Sequence, residues 1–183
     1  MATSIIKTDE LRLLNDQVVM SDGALTSNVV FPTGHVIQTE RSTLSSSSNV
    51  TTSTTFAKVK NSLNEYFYAT INNVLSNSKV LIQTIFTGRY TKGSNNAGGQ
   101  FGLYRESTII LGQSTLSQVS PYYEHINVTS TDYYHPQTII FLDESPATGT
   151  NNYYLGYSSY GGTSVQVLGH PPTFEMILME IAE

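Results

Sequence analysis

The chain has 183 residues, a net charge of -5 and no cysteine, which leaves room for one sizeable domain and rules out a disulfide framework, a thiolate metal site and a cysteine nucleophile. Its 9 Lys and Arg stand against 14 Asp and Glu with no basic block, so the cationic footprint of a nucleic-acid binder is missing. Charged residues are only 13%, Ser and Thr together make up about a quarter of the chain, and there are 12 Tyr and 7 Phe, a composition that favours strands over helices.

Residues 1–30 read as an extended arm with one or two short strands. Short apolar pieces are separated by Asp, Asn, Ser and Gly, and none could bury a core alone. The arm is expected to dock on a neighbour or a larger platform, with Ile5, Ile6, Leu11 and Leu13 as its anchors. The first residues carry no long apolar stretch of a signal peptide. No run of about 18 apolar residues exists, so no membrane insertion is expected.

The outer domain is expected to span residues 31–183. Residues 34–41 read as its first long strand. The stretch 42–55 is almost entirely Ser, Thr, Asn and Val, which suggests a flexible loop, although Thr runs also tolerate strand geometry. One short helical turn is allowed near residues 57–63. Residues 65–75 alternate as a strand, with Phe67, Ala69 and Ile71 on one face and Tyr66, Tyr68 and Thr70 on the other. After a turn at 76–78, residues 79–90 form a long strand whose centre, Val80-Leu81-Ile82, is apolar on both faces. A hairpin loop at 92–99 leads to strands at 100–105 and 107–111. Residues 113–136 look irregular and Tyr-rich, a strand covers 135–143, a turn covers 144–150, and strands follow at 152–158 and 164–168.

The last strand, residues 173–181, shows Phe174, Met176, Leu178 and Glu180 on one face and Glu175, Ile177, Met179 and Ile181 on the other. The alternation of a half-solvated strand is missing, so both sides must be covered. A partner sheet can cover one. Another subunit most economically covers the other, which makes Ile177, Met179 and Ile181 the candidate subunit interface. Residues 79–90 share the pattern, so both strands are expected in central positions. Strands at this spacing with no helical period predict an all-β fold, a jelly-roll-like antiparallel β-sandwich with an extended N-terminal arm.

Chemistry-bearing motifs are sparse. There is no Gly-x-Ser-x-Gly elbow, phosphate loop or dinucleotide fingerprint. His125, Asp132 and His135 sit close together in an expected loop without fixed ligand spacing. Asp143 and Glu144 are adjacent at a strand end, diverge, and cannot flank one bond as glycosidase carboxylates do; they read as a solvated strand end. No catalytic residue, cofactor or metal is assigned. Tyr122, Tyr123, Tyr133, Tyr134, Tyr153, Tyr154, Tyr157 and Tyr160 offer flat apolar rings with polar tips, suited to contact with protein or sugar, and Tyr122, Tyr123, Tyr133 and Tyr134 are the leading candidates.

Five stretches, in order, carry a resemblance. They are Phe31-Pro32-Thr33-Gly34-His35-Val36-Ile37-Gln38, Ser78-Lys79-Val80-Leu81-Ile82, Leu103-Tyr104-Arg105-Glu106-Ser107-Thr108, Leu142-Asp143-Glu144-Ser145-Pro146-Ala147-Thr148 and Leu178-Met179-Glu180-Ile181-Ala182. Together with Ser4-Ile5-Ile6-Lys7 they resemble tail-fibre-like appendage proteins of marine bacteriophages, many infecting cyanobacteria. The chain departs from that pattern at Glu106, where the family usually turns with Gly, and in a Tyr-rich insert near 118–136. The resemblance implies a virion structural protein, generally trimeric, with a β-sandwich outer domain and no enzymatic activity.

The expected function is therefore a non-enzymatic short fibre or appendage on the outer surface of a phage particle. Residues 1–30 would anchor it and residues 31–183 would trimerise. Its partners would be itself as a homotrimer, other capsid or tail proteins, and host surface glycan, reached by multivalent contact. The other reading is a capsid decoration (cement) protein that staples neighbouring capsomers.

Overall fold

A computed structural model describes residues 10–12, 18–21, 24–25, 32–91, 97–115, 124–126, 132–161, 163–168 and 174–183. Among these the elements are all strands: β1 (Glu10–Arg12), β2 (Val18–Ser21), β3 (Ala24–Leu25), β4 (Val36–Leu44), β5 (Ala57–Lys58), β6 (Tyr68–Val74), β7 (Lys79–Thr91), β8 (Ala97–Arg105), β9 (Thr108–Leu111), β10 (Glu124–Ile126), β11 (Asp132–Asp143), β12 (Gly149–Tyr160), β13 (Ser164–Leu168) and β14 (Phe174–Ile181). Strands β1, β2 and β3 make a small antiparallel sheet of their own.

The other strands form two antiparallel sheets packed face to face, a β-sandwich. In the five-stranded sheet β7 lies at the centre, paired along its length with β11 on one side and with β14 and β13 on the other. Strand β4 adds to the far side of β14. In the six-stranded sheet β12 is central, flanked by β6 and β5 on one side and by β8 on the other, and β8 carries β9 and β10. The expectation that residues 79–90 and the last strand sit centrally holds for both.

Period-two alternation places the core. Val80, Ile82, Phe86 and Tyr90 of β7 and Phe174, Met176 and Leu178 of β14 point inward and are buried. They meet Tyr153, Leu155 and Tyr157 of β12, Leu103 of β8 and Ala69 and Ile71 of β6. Aromatic edges lock the two layers together: Phe67 meets Phe174 edge-on at 5.3 Å, and Phe86 meets Phe101 at 4.7 Å.

Two buried carboxylates tie the layers where apolar packing ends. Glu180, fully buried, accepts from the Leu75 amide at 2.7 Å and from Gln38 Nε2 at 2.6 Å, so it holds the β6–β7 turn and the β4 edge against β14. Asp143, at the end of β11, receives both its oxygens' hydrogen bonds from Arg105 Nη1 of β8, at 3.0 and 2.8 Å. Tyr153 of β12 donates its hydroxyl to the same carboxylate at 2.8 Å, and burial together with that carboxylate pushes the Tyr153 phenol far up. Arg105 also donates to the Ser145 carbonyl.

The structure differs from the sequence reading in the arm, which carries three short strands among the described residues instead of one or two, at β10, which forms within a stretch read as irregular, and in four further places of the sandwich. Asp143 is buried and ion-paired instead of solvated; only its neighbour Glu144 is exposed, where it pairs with Lys79. The Ser/Thr-rich stretch is not a free loop. Its first residues extend β4, and residues 48–59 cross from one sheet to the other, with the Thr51 amide bonding the Val165 carbonyl of β13 and the Ser159 amide of β12 bonding the Ser53 carbonyl. Small hydroxyl side chains let a backbone lie flat against both sheets, and low complexity hides that. No helical turn forms at 57–63; Ala57–Lys58 pairs with β12, and the Asn61 side chain folds the next residues into a turn by accepting from the Leu63 and Glu65 amides. Finally, β11 begins at Asp132, three residues before the expected strand, because it pairs with the far end of β7.

The Arg105–Asp143 pair yields a stability test. Arg105→Met alone leaves a buried carboxylate without its cation and should cost about 3 kcal/mol in urea unfolding. Arg105→Met combined with Asp143→Leu should cost clearly less than the sum of the two single changes. A single-variant loss below about 1 kcal/mol would show that the pair does not hold the layers together.

Candidate functional site

Two outer faces remain once the core is accounted for. On the five-stranded sheet the residues of β7 and β14 that point away from the core come into register with β11 and β4. Leu142, Leu81, Met179 and Thr39 form one row, and Ile140, Gln83, Ile177 and Arg41 form the next. Ile85 and Ile181 extend the apolar block on either side, and Val36 lies opposite Ile181. Ile140 is 65% exposed and Val36 46%. Thus Ile177, Met179 and Ile181 lie together on the sheet's outer surface.

Charges ring this block and are paired within the chain. Arg41 bonds Glu175 at 2.8 Å, Lys79 bonds Glu144 at 2.6 Å and Glu183 at 3.1 Å, and Arg89 bonds Asp132 at 3.0 Å. Hydrogen bonds from Thr91 and Arg89 hold the Asp132 carboxyl below its ordinary range. His135 faces the other way, its Nδ1 2.9 Å from Gln137 Nε2. So Asp132 and His135 do not converge, and His125 lies on β10, paired with β8.

Of the expected tyrosine surface, Tyr133 and Tyr134 are successive residues of β11 and point to opposite faces. Tyr133 leans on Tyr90 at 6.2 Å, and Tyr134 is 54% exposed beside Arg89. Tyr122 and Tyr123 lie outside the described residues, as do Ile5, Ile6 and Leu13. Leu11 lies on β1, opposite Met20 of β2.

The six-stranded sheet carries a different aromatic cluster. Register aligns Tyr68 of β6, Tyr154 of β12 and Tyr104 of β8 across its outer face. Tyr68 and Tyr154 stack with centroids 5.3 Å apart at 19°, and Tyr104 stacks on Phe56 at 5.1 Å and 13°. Between the two pairs stands Lys58, its Nζ 3.6 Å from the Tyr154 centroid and 5.9 Å from that of Tyr104. Glycine makes this possible: a Cβ at Gly156 would overlap the Phe56 ring, and one at Gly102 would overlap the Leu111 carbonyl. Tyr104 donates its hydroxyl to the Phe56 carbonyl at 2.7 Å, which pins the crossing segment.

Tyr66 stands edge-on to Tyr154, at 5.3 Å and 75°, under Lys60 Nζ at 4.3 Å. The Lys60 ammonium beside Tyr66 holds its hydroxyl below the ordinary phenol range, whereas burial pushes Tyr154 and Tyr104 up. Between these rings and the end of β4 opens a groove of about 500 Å³, lined among others by Leu44, Asn64, Glu65, Tyr66, Tyr68 and Tyr154. Sequence reading placed Tyr66 and Tyr68 on one strand face and named Tyr154 among the candidate tyrosines, but did not join them, because only the β6–β12 register brings them together; Tyr153 and Tyr157 of the same candidate set are buried in the core instead.

Glu106 supports the floor of this region. It turns the β8–β9 hairpin with a φ of 48°, a conformation that favours glycine. Its amide donates to the Asn152 carbonyl at 2.9 Å, and its carboxylate accepts from the Asn152 amide at 2.8 Å and from Nδ2 at 2.7 Å. Those bonds offset the strained turn.

No protein-family model matches the chain and no curated protein matches it. Among solved structures, dimeric latent PorU from Porphyromonas gingivalis is similar over 88% of this chain and 15% of that one, at 12% identity and a TM-score of 0.39. At that score the likeness carries no argument about fold or function.

The tyrosine environments should separate in a pH titration followed by ultraviolet absorbance or NMR. Tyr66 should ionise before Tyr154 and Tyr104, and Lys60→Met should move its midpoint upward toward the ordinary value of about 10. An unmoved midpoint would contradict the Lys60–Tyr66 contact.

Proposed function

We propose that the chain is a non-enzymatic structural subunit of a phage particle, a short fibre or appendage that forms a homotrimer through the outer face of its five-stranded sheet. The observation that carries the assembly is the apolar block of Leu81, Ile85, Ile140, Ile177, Met179 and Ile181 on that face. Contiguous apolar patches of this kind on a soluble domain mark interaction surfaces. Its surroundings suit a second copy of the same chain. The rim charges are paired internally and nearly balanced, three cations against four carboxylates, so identical faces do not repel each other. Edge-to-edge growth is disfavoured at β11, where Pro136 stands mid-strand and offers no amide.

The trimeric count and the virion setting rest on the ordered sequence resemblance. In that reading residues 1–30 anchor the subunit to capsid or tail proteins, and the six-stranded sheet faces outward toward the host.

Two outcomes follow. Ile177→Glu should keep the β-rich circular dichroism of the parent, because its side chain lies outside the core, yet reduce the mass seen by light scattering to that of one chain; burying that charge at an interface would cost several kcal/mol. A variant that stays assembled would remove the interface from this face. On the particle, cryo-electron microscopy should find the protein on the tail or its appendages. A position between capsomers would favour the decoration reading instead.

A further inference from the structure

We propose that the groove between Tyr68 and the end of β4 is a saccharide-binding site for an uncharged pyranose of a surface glycan. This deepens the host-contact part of the function proposed above and rests on it. It is independent of the assembly face, which lies on the other sheet.

The argument starts from which ring faces are open. Tyr154 is covered on one side by Tyr68 and approached on the other by Lys58, so it serves as a backing. Tyr68 is 41% exposed, sits on β6 at the sheet's margin, and lines the groove. Its ring offers a flat apolar face to the groove, and a pyranose presents a matching patch of C–H groups. Tyr66 adds a second ring at the end of the groove. The volume of about 500 Å³ accommodates one or two sugar rings.

Polar groups converge on the same space from a rigid turn. Asn61, 1% exposed, accepts from the Leu63 and Glu65 amides and donates to the Glu65 carboxylate and to Ser46 Oγ. Asn64 holds a φ of 65° and accepts from Lys60 at 2.8 Å, which leaves its amide nitrogen as a donor. Glu65 therefore presents a fixed carboxylate, an acceptor for sugar hydroxyls, beside an Asn64 donor. A preformed turn lowers the ordering cost of binding.

Charge selects among sugars. The cations nearest the groove, Lys58 and Lys60, are engaged with the tyrosine rings, and the ionised group that lines it is the carboxylate of Glu65. A uronate or sialate would meet that carboxylate, while Lys58 and Lys60 are held against Tyr154, Tyr66 and Asn64, an arrangement that favours a neutral hexose. A single site should be weak, with a Kd of about 1 mM for one ring, and a trimer carrying three such grooves on its outer side would bind a polymer far more tightly.

The test uses the purified full chain and a panel of neutral oligosaccharides (gluco-, galacto- and manno-configured), with hyaluronate and alginate fragments as anionic counterparts, read by saturation-transfer NMR and calorimetry. At least one neutral series should bind. Tyr68→Ala should weaken it roughly tenfold, Tyr68→Phe should retain most of it, and Thr148→Ala, at an exposed position of the β11–β12 turn outside the groove lining, should change nothing. No neutral oligosaccharide binding, tighter binding of the anionic series, or binding that survives Tyr68→Ala with native circular dichroism would each overturn the site. The host-contact reading fails separately: particles carrying Tyr68→Ala that lose saccharide binding yet adsorb normally would keep the groove and remove the receptor role. Loss of adsorption on deleting the protein, with no saccharide bound by it, would do the reverse.

Discussion

The pairing of β7 with β14 is the constraint on which the rest of the molecule depends. Both strands are largely apolar on their inner faces and carry apolar residues on their outer ones, Leu81 and Ile85 on β7 and Ile177, Met179 and Ile181 on β14, and they lie side by side from Lys79 opposite Ile181 to Ile85 opposite Glu175. One set of side chains builds the core against β12, β8 and β6. The other set, in register by necessity, makes an apolar strip on the outside of the same sheet, because a one-residue slip would only exchange the two faces. A half-polar strand can leave one face in water. This pair leaves an apolar strip on the outer surface, which a second copy covers in the assembly proposed above.

The two sheets handle their outer faces differently. On the six-stranded sheet the chain covers itself: residues 48–59 cross over, Phe56 lies on the flat ground left by Gly156 and Gly102, and Lys58 stands between two stacked aromatic pairs. The five-stranded sheet, among the described residues, shows no such overlay; its apolar rows are bounded by ion pairs made within the chain. On the reading proposed above, the asymmetry separates two roles. The uncovered aliphatic face suits copies of the subunit, and the aromatic face with its groove suits an outward ligand. Buried Glu180 and Asp143 hold the two sheets in register at their margins, so the faces are presented by a fixed frame.

Much of this was legible in the residues. Alternation located β6, β7, β13 and β14, and the double apolarity of residues 79–90 and 173–181 foretold their central positions. Which face of β14 is internal was not legible, since Phe174, Met176 and Leu178 look no more buried by type than Ile177, Met179 and Ile181. The Ser/Thr-rich stretch was misread because its order comes from backbone bonds to β12 and β13, which side-chain pattern does not report. Asp143 was misread because its cation, Arg105, is distant in sequence. The aromatic groove was hidden for the same reason: Tyr68 and Tyr154 become neighbours only through pairing between β6 and β12. Long-range register, not local propensity, creates each of these features.

Coverage of the apolar face of the five-stranded sheet can be read chemically, because the chain contains no cysteine of its own. In Ile177→Cys, a conservative change at the centre of that face, the introduced thiol is the sole one in the molecule. The account predicts that under native conditions it reacts with a maleimide or an aromatic disulfide far more slowly than a free thiol, and that dilution or mild denaturant restores the rate as subunits separate. Reaction at the free-thiol rate in the native, undiluted protein would contradict the claim that copies of the chain cover this face.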